Sequence, residues 1–268
     1  MHNDLFSIGP LTVHMYGLMI AIGVIAALYV AEHRAPKNGM DKEMVFPLTM
    51  NCLITGIAGA KIMYCIVGWK QFIKDPLSML GSSGLVVYGG IIGGILSAVV
   101  YCKIRKLNFW DCFDIALPSV AVAQGFGRIG CFFAGCCYGK ETSAWYGIAF
   151  THSNFAPNDV KMIPTQLISS AGMFLIACLL FWYANHAKKA GQIGAGYMVL
   201  YSIGRFGVEF LRGDLARGNV GTLSTSQFIS LFIVVIGIAL WIIRNKSNDE
   251  RIQAKTYEEK RNGKNLRE

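Results

Sequence analysis

Apolar positions in this chain do not recur on one helical face. They run almost unbroken for about 20 residues at a time, the length a helix needs to cross a hydrocarbon core of about 30 Å. Seven runs have this character: Leu11 to Ala31, Met44 to Val67, Gly84 to Cys102, Trp110 to Phe126, Gln166 to Ala184, Ile193 to Leu211 and Gln227 to Ile243. The pattern predicts an all-α, polytopic membrane protein with seven transmembrane helices. Residues 1–243 form one membrane domain, with a longer outer-side segment over about 128–163, and 244–268 form a basic tail. No Lys or Arg precedes the first run and no small-residue cleavage site ends it, so it reads as a retained helix and not a signal peptide.

Composition agrees with the pattern. The chain is 53% hydrophobic and only 15% charged, with a mean hydropathy of +0.43, which excludes an ordinary soluble domain. The basic residues are distributed unevenly. With the N-terminus outside, the cytoplasmic segments hold sixteen Lys and Arg and the outer ones seven. The positive-inside rule therefore selects an outer N-terminus and a cytoplasmic C-terminus. That asymmetry explains the net charge of +9, with no nucleic-acid partner.

This topology gathers the unusual polar residues in one leaflet. Tyr16, Lys61, Tyr64, Tyr88, Arg128, Gln166, Gln227, Tyr201, Arg205, Glu209 and Arg212 all fall toward the outer ends of their runs. Asp111 and Asp114 are exceptions, read as interfacial groups at the cytoplasmic end of the fourth helix. Tyr201, Arg205, Glu209 and Arg212 are spaced to share one helix face. An arginine facing lipid at a helix centre costs roughly 2.5–3.5 kcal/mol, so Arg128 should face an interior cavity or a headgroup, while Arg205 and Glu209, one turn apart, could neutralise each other. Two arginines against one glutamate leave positive charge suited to a phosphate.

Arg128 lies in the glycine-rich stretch Gly125 to Gly139, which also holds Cys131, Cys136 and Cys137. Glycines at that density permit close backbone approach, and Gly89/Gly93 and Gly90/Gly94 mark a helix contact of the same kind. The C-x4-C-C spacing is not a usual zinc pattern and only His152 lies near it, so no metal is expected. The other cysteines fall in apolar runs, where a thiol acts as a small hydrophobe.

Five segments together resemble the prolipoprotein diacylglyceryl transferase family: GRIGCFFAGCCYG from Gly127, HMYGLM at His14, the GAK of Gly59 to Lys61, PTQL at Pro164, and YSIGRFGVEFLRGD at Tyr201. The resemblance implies a bacterial inner-membrane enzyme with its active site toward the outer leaflet. It implies transfer of the diacylglyceryl group of phosphatidylglycerol to the lipobox cysteine of a preprolipoprotein, releasing glycerol 1-phosphate, with no cofactor. Carried onto this chain, Arg128 and Arg205 contact phosphate, and Tyr16, Glu209 and Gly139 match further functional positions. Catalytic roles are expected for Arg128, Arg205, Tyr88 and Glu209, and substrate contacts for Tyr16, Tyr201, Gly89, Gly90, Cys131, Gly139 and Arg212. Three departures stand out: Tyr88 where the family often has His, Cys131 and Ala134 where Asn is common, and Ile168 and Ser169 where Tyr and Glu are expected. They leave open a diverged paralogue with another acceptor, or a phospholipid or anion transporter.

Overall fold

A computed structural model describes residues 4–8, 11–153, 155–214 and 218–247. Most of the basic tail expected over 244–268 lies outside the described residues. Nine α-helices and three short hairpins are present among the described residues. The helices are α1 (Met15–Arg34), α2 (Val45–Val67), α3 (Trp69–Lys74), α4 (Pro76–Gly81), α5 (Val87–Ile104), α6 (Phe109–Ala134), α7 (Thr165–Ala184), α8 (Gln192–Glu209) and α9 (Thr225–Lys246). The hairpins pair β1 (Asp4–Ile8) with β2 (Leu11–His14), β3 (Ile148–Ala149) with β4 (Lys161–Met162), and β5 (Asn219–Val220) with β6 (Leu223–Ser224), all antiparallel.

Among the described residues six helices are long and apolar enough to cross a membrane: α1, α2, α5, α6, α7 and α9. The chain is a multi-pass membrane protein. Large apolar side chains such as Ile25, Ile54, Val87 and Val235 stand exposed on these helices, as expected where the surrounding solvent is lipid. The sixth run, α8, falls outside this set because it carries Arg205, Glu209 and four glycines within 18 residues.

The chain divides into two compact units. Among the described residues, one holds those up to Ala31 and those from Phe113 on; the other is Glu32–Cys112. In the second unit α2 and α5 cross at backbone contact: a Cβ added at Gly89 would meet the carbonyl of Gly59, and one at Gly93 would meet that of Thr55. Lys61 on α2 folds back on the connection to α5, its Nζ donating to the Ser82 carbonyl at 2.5 Å. The helical turns α3 and α4 between α2 and α5 carry no sequence signal strong enough to separate them from loop.

In the first unit the core joins α6, α7 and α8 through Ala121, Met173, Ile176, Leu180, Ile193 and Tyr197. A buried carboxylate adds to it. Asp114 is fully buried and accepts from the Gly191 and Gly194 backbone N–H groups, each at 2.8 Å. It thereby satisfies two donors at the start of α8 and places negative charge at that helix's positive end. The expectation that Asp111 and Asp114 are exposed at the interface is thus corrected, since Asp111 is buried as well.

Two boundaries also differ. The chain pairs as β1–β2 before α1, so the first helix starts at Met15 and not at Leu11. The fourth helix runs on to Ala134, which puts Arg128 inside α6 and not at the start of the outer segment. At the other end of the chain Arg244 is still within α9, buried, with its Nε donating to the Ala190 carbonyl at 2.7 Å.

Candidate active site

Three helices and the first turn of α1 enclose a cavity of about 300 Å³ in the first unit. Gln124, Gly127, Arg128 and Cys131 of α6 line it, with Tyr201, Gly204, Arg205 and Val208 of α8. Each set recurs every three or four residues, so each is one face of its helix. Ile168, Gly172, Met173 and Ile176 of α7 make a largely apolar wall, and Tyr16 of α1 completes the lining. Tyr16 is placed there by Gly130: a side chain at that position would press on the Tyr16 ring and on Met19, both at 3.2 Å.

Electrostatics concentrate at one end of this space. Arg205 NH2 lies 2.6 Å from Glu209 Oε2, one helical turn away, and donates to the Ser226 hydroxyl of α9 at 2.9 Å. Both partners of the ion pair are nearly enclosed. Arg128 and Arg212 are within electrostatic range of Arg205. Among the described residues Arg128 makes no ion pair, so the cavity carries a surplus positive charge.

Arg212 does not share the helix face of Tyr201, Arg205 and Glu209, because α8 ends at Glu209. It sits in the following loop, clamped by Asp214 at 2.8 and 2.5 Å. Burial works against its charge, but the Asp214 carboxylate and the neighbouring Cys137 prevail and raise its pKa above the ordinary arginine value. Its backbone bridges to Gly139. A Cβ at Gly139 would lie 2.6 Å from the Ile163 carbonyl and 2.8 Å from Thr165 Cγ2, so glycine there permits close packing. Neither residue lines the cavity.

Between α6 and this bridge the chain makes a compact loop. Gly135 has φ +70° and Cys137 φ +60°, a conformation that costs a non-glycine residue of order 1 kcal/mol or more. Two residues of the PTQL segment hold it: Thr165 Oγ1 donates to the Cys137 carbonyl and Gln166 Nε2 to the Cys136 carbonyl, each at 2.8 Å. The sulfurs of Cys131, Cys136 and Cys137 all lie within 4.8 Å of one another. The Cys137 thiol is held below its ordinary range by hydrogen bonding with the Cys131 and Cys136 thiols, with Arg212 also favouring the thiolate.

The structure therefore brings Tyr16, Arg128, Cys131, Tyr201 and Arg205 together, with Glu209 one turn further along α8. Tyr88, Gly89 and Gly90 are on α5 of the other unit. Tyr88 is exposed at the helix start, and Gly89 is buried in the α2–α5 crossing. Sequence reasoning missed Ser226, Asp214 and the anchoring roles of Thr165 and Gln166. Only the last two carried a signal, as polar residues at the start of an apolar run.

Fold and cavity define a multi-pass membrane protein with a positively charged pocket set among its helices. The chain belongs to the prolipoprotein diacylglyceryl transferase family, whose profile matches residues 3–243. It is 47% identical over 241 residues to the phosphatidylglycerol–prolipoprotein diacylglyceryl transferase of Clostridium tetani, covering 89% of this chain and 96% of that one. A second such protein, from Clostridium perfringens, is 45% identical over 235 residues, 87% of this chain and 91% of its own. A more distant relative of the same name, from Oceanobacillus iheyensis, is 32% identical over 254 residues, 91% and 88% of the two chains.

Proposed function

We propose that this chain transfers the diacylglyceryl group of phosphatidylglycerol to the lipobox cysteine thiol of a preprolipoprotein. A thioether forms and glycerol 1-phosphate is released. The observation that carries the reading is the surplus positive charge at one end of the cavity, where Arg128 and Arg205 project from two helices and, of the two, only Arg205 has a carboxylate partner among the described residues. Family membership supplies the reaction class.

The chemistry fits such a clamp. As the sulfur attacks the glycerol carbon, the carbon–oxygen bond to phosphate breaks and negative charge grows on the leaving phosphate. Preorganised guanidinium groups in a site sheltered from water stabilise that charge most where it develops. A cavity of about 300 Å³ is at the small end for a ligand site. It takes a headgroup while the acyl chains stay among lipid. Tyr16 and Tyr201 line the headgroup space and Glu209 orients Arg205.

The same reading makes α8 a seventh span, 18 residues or about 27 Å long, whose Arg205 and Glu209 neutralise one another. It puts the N-terminus outside, the C-terminus in the cytoplasm, and the arginine end of the cavity in the outer leaflet of the bacterial inner membrane, as the loop charges favour. Roles for Tyr88, Gly89 and Gly90 of α5 are part of it, as lipid contacts.

The test is to incubate purified protein with phosphatidylglycerol and a lipobox peptide and follow peptide mass together with glycerol phosphate release. A diacylglyceryl-sized gain, lost in Arg128→Ala, is the expected result. An unmodified peptide in a preparation that still binds phosphatidylglycerol would overturn the reading.

A further inference from the structure

The thiols of Cys136 and Cys137 have no use in the reaction as described, yet the fold gathers them with that of Cys131. Cys131 lies on the last turn of α6, while Cys136 and Cys137 follow the turn at Gly135. Their sulfurs lie within 4.8 Å of one another, and among the described residues no imidazole or carboxylate joins the group. A tetrahedral zinc ion with Zn–S bonds of about 2.3 Å sets its sulfurs about 3.8 Å apart, so a small contraction converts this triangle into one face of a tetrahedron. The loop is prepared for it: Cys137 is held at a positive φ that cysteine seldom adopts, and Thr165 and Gln166 fix the carbonyls of Cys137 and Cys136.

We propose that Cys131, Cys136 and Cys137 bind one zinc-class divalent ion through three sulfurs, leaving its fourth position open to the acceptor's cysteine. Three protein ligands with an open fourth position distinguish reactive zinc sites from structural ones. Three thiolates and a divalent ion carry one net negative charge, and Arg212 lies within hydrogen-bonding and electrostatic range of the Cys137 thiol.

Position gives the site its use, and this step rests on the transferase reading above. Cys131 lines the cavity three residues from Arg128, on the same helix face. Tyr16 is within electrostatic range of Arg128 and of all three thiols. A thiol bound at the fourth position therefore sits at the rim of the space that takes the phosphate. Coordination releases the thiol's proton to water. The coordinated sulfur then donates an electron pair to the glycerol carbon, the carbon–oxygen bond breaks, and its electrons stay on the departing phosphate. The thioether product is a weaker ligand and leaves the ion.

The experiment uses full-length detergent-purified protein, reduced and chelator-stripped under nitrogen, then titrated with Co²⁺. We expect one equivalent to bind with the visible and sulfur charge-transfer bands of a tetrahedral thiolate site, and Zn²⁺ to displace it. Cys131→Ser, Cys136→Ser and Cys137→Ser should each weaken binding at least tenfold, while Cys178→Ser on α7 leaves it unchanged. A lipobox peptide should shift the cobalt bands and its Cys→Ser version should not. Chelation should slow transfer at least tenfold, with recovery on adding Zn²⁺. Failure of the wild-type protein to bind Co²⁺ overturns the metal site. Binding that neither senses the peptide thiol nor alters transfer overturns the activation step. Absence of transfer in metal-loaded protein that binds phosphatidylglycerol counts against the transferase reading, while the titration decides the metal independently.

Discussion

Glu209 Oε2 and Arg205 NH2 approach to 2.6 Å one turn apart on α8, while Arg128 on α6 lines the same cavity as Arg205 with no carboxylate partner among the described residues. The two arginines are therefore not equivalent. One is held in place by its own helix and by Ser226, and the other offers its charge to whatever enters.

Arg128→Ala should lower transfer at least 100-fold, the scale on which removal of a charge-stabilising donor acts. Arg205→Lys should lose almost as much, because an ammonium cannot reproduce a two-pronged fork. Steady-state assays on micelle-presented phosphatidylglycerol would reveal this, and near-normal turnover in Arg205→Lys would contradict the clamp.

Glu209→Gln removes the negative partner while keeping the shape. Phosphatidylglycerol binding should hold or tighten, since the cavity gains positive charge, whereas transfer should fall about tenfold as Arg205 loses its orientation. Measuring binding and turnover on one preparation separates the two. A parallel loss of both would mean that Glu209 acts only on folding.

Asp114→Ala should destabilise the protein by about 1.5–3 kcal/mol, the usual value for hydrogen bonds to a charged group. It should leave the transfer rate per folded molecule unchanged, because Asp114 lies away from the cavity lining. Thermal unfolding in detergent reads the first effect. A rate loss at full stability would show that α8 moves when its start is released.

Thr165→Val and Gln166→Ala each release one carbonyl of the cysteine loop. Alkylation of Cys136 and Cys137 by a maleimide should accelerate several-fold in either variant, and transfer should decline as Cys131 loses its neighbours. Unchanged alkylation would place the loop's rigidity elsewhere.

Gly139→Ala should cost about 1–3 kcal/mol through overpacking against Ile163 and Thr165. Its substrate affinity should remain normal in the fraction that folds. A pure loss of phosphatidylglycerol binding at unchanged stability would return Gly139 to a direct substrate role.

The membrane helices were legible in the sequence because a 20-residue apolar run has few other uses, and the Tyr201–Arg205–Glu209 face was legible from its spacing. Arg212 was misplaced because nothing in the sequence marks Glu209 as the end of α8. Arg128 was assigned to the edge of a loop because Gly125, Gly127 and Gly130 weaken the helical signal, although two of them serve packing: Gly125 faces the Phe174 ring and Gly130 faces Tyr16. The thiol triangle was not legible either. C-x4-C-C acquires its geometry only from a helix ending at Ala134 and two left-handed residues beyond it. Asp114 was read as interfacial because its partners lie 77 and 80 residues further along the chain.

That separation bears on how the protein is made. When α6 leaves the ribosome and settles among lipids, the amides of Gly191 and Gly194 have not yet been synthesised, and Asp114 waits in the growing chain without them. α8 is the long helix that is too polar to partition on its own hydropathy, and it arrives to find a carboxylate already positioned for its first turn. On the seven-span reading proposed above, its insertion is templated by the nascent protein and owes less to the bilayer, so fewer chains lacking Asp114 should seat α8 during biogenesis while the more apolar helices still integrate.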